Sequence, residues 1–542
     1  MIRLGQIEID QAILERQLRH DLKDDWFPDA VRFKDFFGRN RIVELAEANF
    51  ELNHGVYEPQ RRVVRNVPKP DFTLRSALEI GLVDRAIYHG VCSYLCQHFD
   101  EYIPWRSFGY RAAVGDQRNR YMFRRGIPSW MDFLGTVRAS LKQGTVLLST
   151  DLTTYFDSIN IEKLKGEMFQ LIEEMDAEAK QKSNHRAYVE FLFSCLEKWS
   201  YEGTRGLPQN RDASSFLANF YMRKVDILME RRGYEYFRYM DDIKIVASSK
   251  IEAQKALRDL IVELRQLGLA VNSKKTEMIE IADDDSIRSA VEEPSEQLRF
   301  LQSLWETRRI SQIKQSFVPL RNLAIDFLKS QQVNSREFNF AINRLVLLAG
   351  CKEIAVPADY FSEIVDLVIT ALPEAPSRTE AFVSLLQWVS LSDEQIERIV
   401  DFQVDRDRNI YGWQGYQIWL LLGTRKIECD RLIQAAKQAQ DEPDGPYRAG
   451  ATLYLGAFGT EKDRQEIAKK FESLESFVGQ RAALLAIQDL PFKPDVKKHV
   501  VGKVRPDLDG AYKQAKTLQL GQFVPPDPVS VTQIVDVDRD YA

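Results

Sequence analysis

Three aspartates stand at short apolar segments of the sequence, where their carboxylates can meet. Asp151 follows the apolar run 145–149, and Asp241 and Asp242 lie inside the run 237–248. Both runs have the length and residue types of buried strands, so Asp151 is predicted to end one strand and the pair to occupy a turn between two others. Mg²⁺ prefers carboxylate oxygens, and two such ions about 4 Å apart can activate a hydroxyl and stabilise a leaving pyrophosphate. The spacing therefore indicates two-metal nucleotidyl transfer, although an isolated Asp-Asp turn is more often an ordinary hairpin.

Short strands and long helices alternate around these aspartates. Residues 1–55 are predicted to be helical, with amphipathic spacing at 7–22 and 41–52. The run 63–67 is predicted to be a strand that ends in a Pro-rich turn. This alternation predicts an α+β domain, whose further helical stretches are 76–99, 161–199 and 213–232.

Beyond about residue 320 the sequence predicts only helices, separated by turns rich in Pro, Asp and Gly. Three apolar segments recur there, and their last residues, Gly423, Gly456 and Asp489, are each 33 residues apart. That period is typical of stacked helix pairs, so an all-α, HEAT-like helical-repeat domain is predicted. The predicted division is a helical segment at 1–60, the α+β domain at 60–318, the helical repeat at 319–519 and an extended or disordered tail at 520–542.

The overall composition is that of a globular protein with two or three domains. The 542 residues are 44% hydrophobic and carry a net charge of −6, which argues against a generic nucleic-acid coat. No apolar run is long enough to span a bilayer, and the first ten residues lack a signal pattern, so no membrane partner is expected. Five cysteines without a paired metal spacing predict a reduced, cytoplasmic protein.

The segment 104–145 departs from the acidic average. It carries eight basic residues against two acids, with aromatic residues between them. Basic groups neutralise phosphates and aromatic rings stack on bases, so the segment is a candidate nucleic-acid track. Runs of this kind are about equally often solvated faces. The basic residues are Arg106, Arg111, Arg118, Arg120, Arg124, Arg125, Arg138 and Lys142.

Together with their neighbours, the aspartates resemble the fingers and palm of reverse transcriptases, especially the bacterial group-II-intron, retron and abortive-infection relatives. The likeness covers roughly residues 60–315, in the family's order and spacing. The finger segments are Val67-Pro-Lys-Pro-Asp-Phe-Thr-Leu-Arg75, Val83-Asp-Arg85 and Ser107-Phe-Gly-Tyr-Arg111. The palm segments are Ser149-Thr-Asp151-Leu-Thr-Thr-Tyr-Phe156-Asp157, Gly206-Leu-Pro-Gln209 with Ser214-Ser-Phe-Leu-Ala-Asn219, Tyr239-Met-Asp-Asp242 and Leu267-Gly-Leu-Ala-Val-Asn272-Ser-Lys-Lys275-Thr276.

The resemblance implies a right-hand DNA polymerase that uses dNTPs and two divalent ions. Asp151 and Asp241 would ligate both ions, with Asp242 secondary; Mg²⁺ is the expected ion and Mn²⁺ the alternative. Lys275 would act as the general acid that protonates departing pyrophosphate.

The resemblance also implies a nucleotide-binding set. Lys69 and Arg75 would neutralise the triphosphate through charge-assisted hydrogen bonds, and Gln209 would contact the nucleotide. Phe156 occupies the position at which a ribose 2′-hydroxyl would clash, so deoxynucleotides would be preferred. The alternative interpretations are surface charges for the basic residues and a plain core aromatic for Phe156.

Two departures narrow the resemblance to one subgroup. The sequence Asn210-Arg211-Asp212 replaces the Gly and small residues that usually follow Gln209, where template and nucleotide meet, and this argues against ordinary template copying. The helical repeat stands where mobile-intron enzymes have thumb, maturase or endonuclease extensions, and 300–305 only loosely resembles a primer-grip turn. A palm joined directly to a helical repeat resembles the abortive-infection and "unknown group" defence reverse transcriptases of bacteria.

That subgroup implies antiphage function, homo-oligomers, and often untemplated or protein-primed DNA synthesis. In protein priming a tyrosine hydroxyl replaces the primer, and Tyr541 in the predicted tail is one candidate. The alternative is a conventional RNA-templated enzyme that works with a noncoding RNA, as a retron does. A third reading, a binding scaffold with an inactive palm, is disfavoured because all three aspartates are present.

Overall fold

The structure is a computed structural model that describes residues 1–37, 40–113, 121–291, 293–357, 359–491 and 494–535. It begins with a small hairpin and two helices, β1 (Ile2–Leu4), β2 (Ile7–Ile9), α1 (Gln11–Asp21) and α2 (Arg41–Leu52). The hairpin corrects the prediction of helix throughout 1–55. Both of its strands bury alternate residues, a period of two that is typical of a strand with one face on the core. Helix α1 starts only at Gln11, where Asp10 accepts hydrogen bonds from two amides of the first turn.

A second antiparallel hairpin and a buried helix follow, β3 (Val63–Pro68), β4 (Leu74–Glu79) and α3 (Leu82–Phe99). The predicted strand at 63–67 is present, but 76–79 continues β4 and does not begin the helix. The reason is register, because Ser76 pairs with Asn66 and Glu79 with Val63 across the hairpin. Helix α3 is buried on nearly every side, which explains why its sequence lacks a polar face.

A four-stranded antiparallel sheet forms the centre of the α+β domain, in the order β6-β7-β5-β8. All five residues of the central strand β5 are buried, which accounts for its unbroken apolar run. In the register of β5 and β7, Thr150 faces Ile243, so the end of β5 lies beside the turn that joins β6 to β7. The strands are β5 (Val146–Thr150), β6 (Glu235–Tyr239), β7 (Asp242–Ala247) and β8 (Glu277–Glu280).

Helices surround this sheet, and the predicted helical stretches 161–199 and 213–232 are each divided into two. Within the described ranges, no helix is both long and apolar enough to cross a membrane. The helices are α4 (Gly126–Ser140), α5 (Tyr155–Ser158), α6 (Ile161–Glu174), α7 (Ala179–Trp199), α8 (Asp212–Tyr221), α9 (Arg223–Arg231), α10 (Lys250–Leu267) and α11 (Asp284–Ala290).

The described part of the chain after β8 contains helices and no strand, as predicted. The three segments of the 33-residue period fall on α19, α21 and α23, which pack on one another in order; α16, α18 and α20 form a second layer. Stacked helix pairs are therefore present, whereas their HEAT-like character remains a prediction. The helices are α12 (Glu296–Glu306), α13 (Ile310–Gln315), α14 (Phe317–Lys329), α15 (Arg336–Gly350), α16 (Ser362–Ala371), α17 (Thr379–Leu386), α18 (Asp393–Val404), α19 (Gly412–Thr424), α20 (Asp430–Gln438), α21 (Pro446–Phe458), α22 (Glu461–Lys469), α23 (Phe477–Ala486), α24 (Pro494–Val500), α25 (Ala511–Leu518) and α26 (Val531–Val535).

Residues 520–530 of the predicted tail contain no helix or strand, and the short helix α26 follows at 531–535. The amide of Val524 donates a hydrogen bond of 2.9 Å to the carbonyl of Ala30, and the short helix α26 buries Ile534. The ring of Phe523 packs directly on Gly423, where a Cβ would lie 2.2 Å from it. Apolar side chains spaced along this Pro-rich segment thus hold it on the helical domain.

The C-terminal helices return to the N-terminal region and the β3–β4 hairpin. The indole of Trp413 donates to the carbonyl of Trp26 at 2.7 Å, and the hydroxyl of Tyr416 donates to the carbonyl of Pro28 at 2.7 Å. Near them, Arg481 is buried and donates to both carboxylate oxygens of Asp35 at 2.6 Å. These contacts join residues almost 400 or more positions apart, so the helical domain and the hairpin share one core.

Candidate active site

Asp151 and Asp241 meet at the end of the central sheet. Asp151 directly follows β5, and Asp241 lies in the two-residue turn between Tyr239 and Asp242. The carboxyl groups of Asp151 and Asp241 lie close enough for the charge of one to act on the other. Burial, with the nearby charges of Asp151 and Asp242, raises the pKa of Asp241 to about 6. Two carboxyl groups this close cannot both ionise without a counter-charge, and this is the electrostatic situation that a cation relieves.

Lys275 supplies one such counter-charge. Its Nζ donates to Oδ2 of Asp151 at 2.7 Å, from a short turn that precedes β8. The hydrogen bond to Asp151 raises the pKa of Lys275, with smaller contributions from Asp241 and Asp242. The amino group is therefore charged at neutral pH and can donate a proton.

The side chains at this end of the sheet offer carboxylate oxygens to a divalent ion. Among the described residues, no group of three or more His, Cys, Asp and Glu side chains already stands in a metal-binding arrangement. The oxygens of Asp151 and Asp241 are nonetheless hard donors that lie near each other, and Asp242 adds to the negative potential at Asp241. These residues fit a divalent cation, whose charge would relieve the repulsion among the three carboxyl groups.

A buried ion pair holds the turn that carries Asp241. Arg238, on β6, is completely buried and donates to Asp226 through Nε at 2.8 Å and Nη2 at 2.6 Å. Its Nη1 donates to the carbonyl of Met240 at 3.0 Å. Met240 has φ of 55°, a left-handed conformation that a methionine adopts only when its surroundings impose it. Sequence reasoning missed Asp226, because an acid in an amphipathic helix carries no sign of a buried partner.

The β3–β4 hairpin presents its two predicted basic residues to the same end of the sheet. Burial lowers the pKa of Arg75, and the nearby charges of Asp157 and Asp241 oppose that change. Lys69 also acts on Asp157. The guanidinium carbon of Arg75 lies 5.2 Å from the ring centre of Trp26.

Asp157 connects this hairpin with Gln209. The amide Nε2 of Gln209 donates to Oδ1 of Asp157 at 2.5 Å, and the hydroxyl of Tyr201 donates to the same oxygen at 3.3 Å. Burial raises the pKa of Asp157. Asp157 was not among the predicted site residues, although it stands beside Phe156 in the first palm segment, and that position could have identified it.

Phe156 is half-buried beside the active site. Its ring packs against Tyr155 at 5.6 Å between centres, and its carbonyl accepts a hydrogen bond from the amide of Leu207 at 3.1 Å. The side chain is thus anchored at the segment that carries Gln209. Its role as a sugar gate remains a prediction.

The atypical loop Asn210–Asp212 is tied to the N-terminal region. Arg211 is buried and lies 3.3 Å from Oδ1 of Asp25, and the amide of Asp212 donates to Oδ1 of Asp21 at 3.2 Å. The hydroxyl of Tyr121 donates to the carboxylate of Asp212. Charged residues of the loop are therefore used for contacts within the chain.

Two predicted features are only partly described. Arg118 and Arg120 of the basic segment, and the candidate priming residue Tyr541, lie outside the described residues. Of the remainder, Arg111 is buried and pairs with Asp100 at 2.9 Å, a structural role. Arg124 and Arg125 are exposed and remain candidates for contact with nucleic acid.

Residues 104–328 match the family model "Reverse transcriptase (RNA-dependent DNA polymerase)". No curated protein matches the chain. Among solved structures, the apo telomerase of Candida tropicalis truncated from its C-terminal domain aligns at 16% identity over 44% of this chain and 54% of that chain, with a TM-score of 0.31. Telomerase of the same organism in complex with a TWJ fragment of telomeric RNA aligns at 14% identity over 65% and 66% (TM-score 0.32), and its apo form at 13% over 88% and 74% (TM-score 0.33). The chain thus spans about half of the first of these telomerase chains.

Proposed function

We propose, from the reverse transcriptase domain that this chain carries, that the protein is a DNA polymerase of bacterial antiphage defence that joins dNTPs. The domain makes the chain a nucleotidyltransferase, a DNA polymerase of the reverse transcriptase type. Domains of this type generally use divalent metal ions, and we assign Mg²⁺ here. The observation that carries the proposal is the convergence of Asp151, at the end of β5, and Asp241, in the β6–β7 turn, with Nζ of Lys275 2.7 Å from Asp151.

Each predicted residue has a role in this proposal. Asp151 and Asp241, assisted by Asp242, would hold two Mg²⁺ ions, which lower the pKa of the attacking hydroxyl and stabilise pyrophosphate. Arg75 and Lys69 would bind the triphosphate, because they are the cations that act on Asp157 at the same cleft. Asp157 would hold Gln209 in place for the nucleotide through its 2.5 Å hydrogen bond.

Lys275 would deliver a proton to pyrophosphate. Its raised pKa keeps the amino group protonated at neutral pH, and its Nζ already lies at the Asp151 carboxylate. When the nucleotide binds, the same amino group would exchange its carboxylate partner for a phosphate oxygen and transfer a proton as the pyrophosphate departs.

The bound loop Asn210–Asp212 supports synthesis without a template. In the reverse transcriptases that the sequence resembles, template and nucleotide meet at this loop, and small residues in the loop leave room for them. Here Arg211 and Asp212 are engaged by Asp25, Asp21 and Tyr121. A template base would have to displace these contacts, including a buried ion pair, and breaking such a pair is costly.

Antiphage defence, homo-oligomerisation and protein priming rest on the resemblance to the defence subgroup, in which a palm is joined to a helical repeat. The stacked helices α16–α23 support this, since the polymerase region is followed directly by helix pairs. The alternative is an RNA-templated enzyme that works with a noncoding RNA. The exposed Arg124 and Arg125 favour it, because exposed basic side chains suit an RNA backbone.

The deciding experiment incubates the pure full-length protein with Mg²⁺ and all four dNTPs and sequences the DNA formed. Random sequence, independent of added RNA, is expected. DNA complementary to an added or co-purified RNA would favour the templated alternative. Absence of incorporation by folded protein, in Mg²⁺ and in Mn²⁺, would contradict the polymerase assignment for this chain.

A further inference from the structure

A groove of about 480 Å³ lies beside the catalytic turn, between the polymerase region and the helical domain. One wall is the start of α4 with Tyr239, which lies two residues before Asp241. The opposite wall is formed by α12 and α15. The groove therefore runs along the boundary between the two regions, and Tyr239 places it next to the turn that carries Asp241.

Aromatic rings form part of the groove's lining. Trp130 and Tyr239 are half-buried and meet edge to face, with ring centres 5.0 Å apart and an interplanar angle of 88°. Across the groove, the guanidinium of Arg344 lies 3.8 Å above the ring of Phe340. Rings and stacked guanidinium groups bind bases of any sequence, because every base has an apolar face.

The groove also attracts negative charge. Helices α4 and α15 each have 15 residues, and both begin at the groove, at Gly126 and Arg336. Helix N-termini carry a partial positive charge, which favours phosphate, although the hydroxyl of Ser335 already accepts a hydrogen bond from the amide of Phe338 in the first turn of α15. Of the described residues that line the groove, two are arginines and one, Glu306, is an acid.

Three polar side chains on α15 are available to a ligand. Arg336, Asn339 and Asn343 follow one another at spacings of three and four residues and so lie on one face of the helix. Arg336 is exposed and forms no ion pair with any described residue. Amide side chains at this spacing can donate to successive phosphate or base oxygens.

We propose that this groove binds the newly made DNA as a single strand leaving the active site, with helix α15 holding its backbone and Trp130 and Tyr239 contacting its bases. The assignment rests on the proposed polymerase function. It makes the helical domain part of the DNA-binding surface, because α15 supplies Arg336, Asn339 and Asn343.

The test measures binding of fluorescent oligo(dT) to the full-length protein without dNTPs, across a series of salt concentrations. Arg336→Gln is expected to weaken binding several-fold and to reduce the magnitude of the salt slope by about 0.7, the value for one lost phosphate contact on a single strand. Trp130→Phe is expected to diminish the quenching of tryptophan fluorescence by oligo(dT). Lys314→Gln is the matched control, an exposed cation on α13 outside the groove, and should leave affinity and slope unchanged.

In dNTP reactions, Arg336→Gln should also shorten the products. The proposal would be overturned if Arg336→Gln and the unsubstituted protein bound oligo(dT) with equal affinity and an equal salt slope. It would also be overturned if Arg336→Gln weakened the binding of oligo(U) and left the binding of oligo(dT) unchanged. Because binding is measured without dNTPs, its outcome is independent of polymerase activity. An inactive protein that binds oligo(dT) through Arg336 would support the groove and contradict only the proposed function.

Discussion

The Nζ of Lys275 lies 2.7 Å from Oδ2 of Asp151, the residue whose negative charge helps to raise the pKa of Asp241. One carboxylate is thereby linked to a proton donor on one side and to the second proposed metal ligand on the other. Removal of any of these groups therefore changes the charge of the whole cluster.

Replacement of Asp241 and Asp242 together by alanine should abolish nucleotide incorporation. The loss should exceed the roughly 10- to 100-fold that removal of an outer hydrogen-bond partner of a metal ligand costs. Folding should be retained, because the substitutions remove repulsion between Asp151, Asp241 and Asp242. Incorporation of radiolabelled dNTP measures the activity, and circular dichroism measures the folding. The control is Asp284→Ala with Asp285→Ala, which removes an adjacent acidic pair at the start of α11. Near-normal incorporation by folded Asp241→Ala/Asp242→Ala protein would refute the assignment of the active site.

Phe156→Ala should raise the use of ribonucleotides relative to deoxynucleotides by roughly 10-fold or more, the scale of steric discrimination in a tight pocket. The physical reason is space, since alanine removes the ring that would meet a 2′-hydroxyl. Competition between labelled rNTP and dNTP measures the ratio. Phe300→Ala, an exposed phenylalanine 52% accessible on α12, is the control. An unchanged ratio would make Phe156 a core residue only.

Arg481→Met should destabilise the protein by about 3–5 kcal/mol, because it leaves Asp29 and Asp35 buried without their partner. Arg431→Met, which breaks a surface pair with Glu397 and Asp401, should cost no more than about 1 kcal/mol. Thermal unfolding of both variants gives the comparison. If the two midpoints fall equally, the contact between the helical domain and the N-terminal region does not stabilise the fold.

Multi-angle light scattering at micromolar concentration should show a homo-oligomer. Stacked helix pairs leave terminal and concave surfaces that a second copy can cover. A dilution series gives the association strength. A mass of 62.7 kDa at every concentration would mean that the chain is a monomer.

After reaction with dNTPs and nuclease trimming, mass spectrometry should find a nucleotide on one tyrosine. A phenol is a workable nucleophile once its pKa of about 10 is lowered by a metal. Tyr155 is a poor candidate, since burial raises its pKa and its hydroxyl donates to the carbonyl of Ala218. Tyr541→Phe tests the tail residue, with Tyr102→Phe as control. Product DNA that is free of protein in every sample would exclude protein priming.

The sequence by itself determined the local parts of this protein. The apolar runs before Asp151 and around Asp241 predict buried strands, and β5, β6 and β7 are there, because side-chain periodicity reports which faces of an element are buried. The order of the motifs also predicted that these aspartates belong to one palm. The β1–β2 hairpin was missed because three-residue strands are too short to establish a period.

Only the tertiary structure decided which distant residues contact these local elements. Asp157 joins Gln209 across 52 positions, and Arg481 joins Asp35 across 446. The sequence does not distinguish a buried arginine from an exposed one, because its burial and its ion-pair partner arise only when distant segments pack together. The same holds for the groove at α15, in which Gly126 of one wall and Arg336 of the other are 210 positions apart in the chain. Local periodicity depends only on neighbouring residues, whereas the pairing of remote surfaces depends on the shape of the whole folded chain.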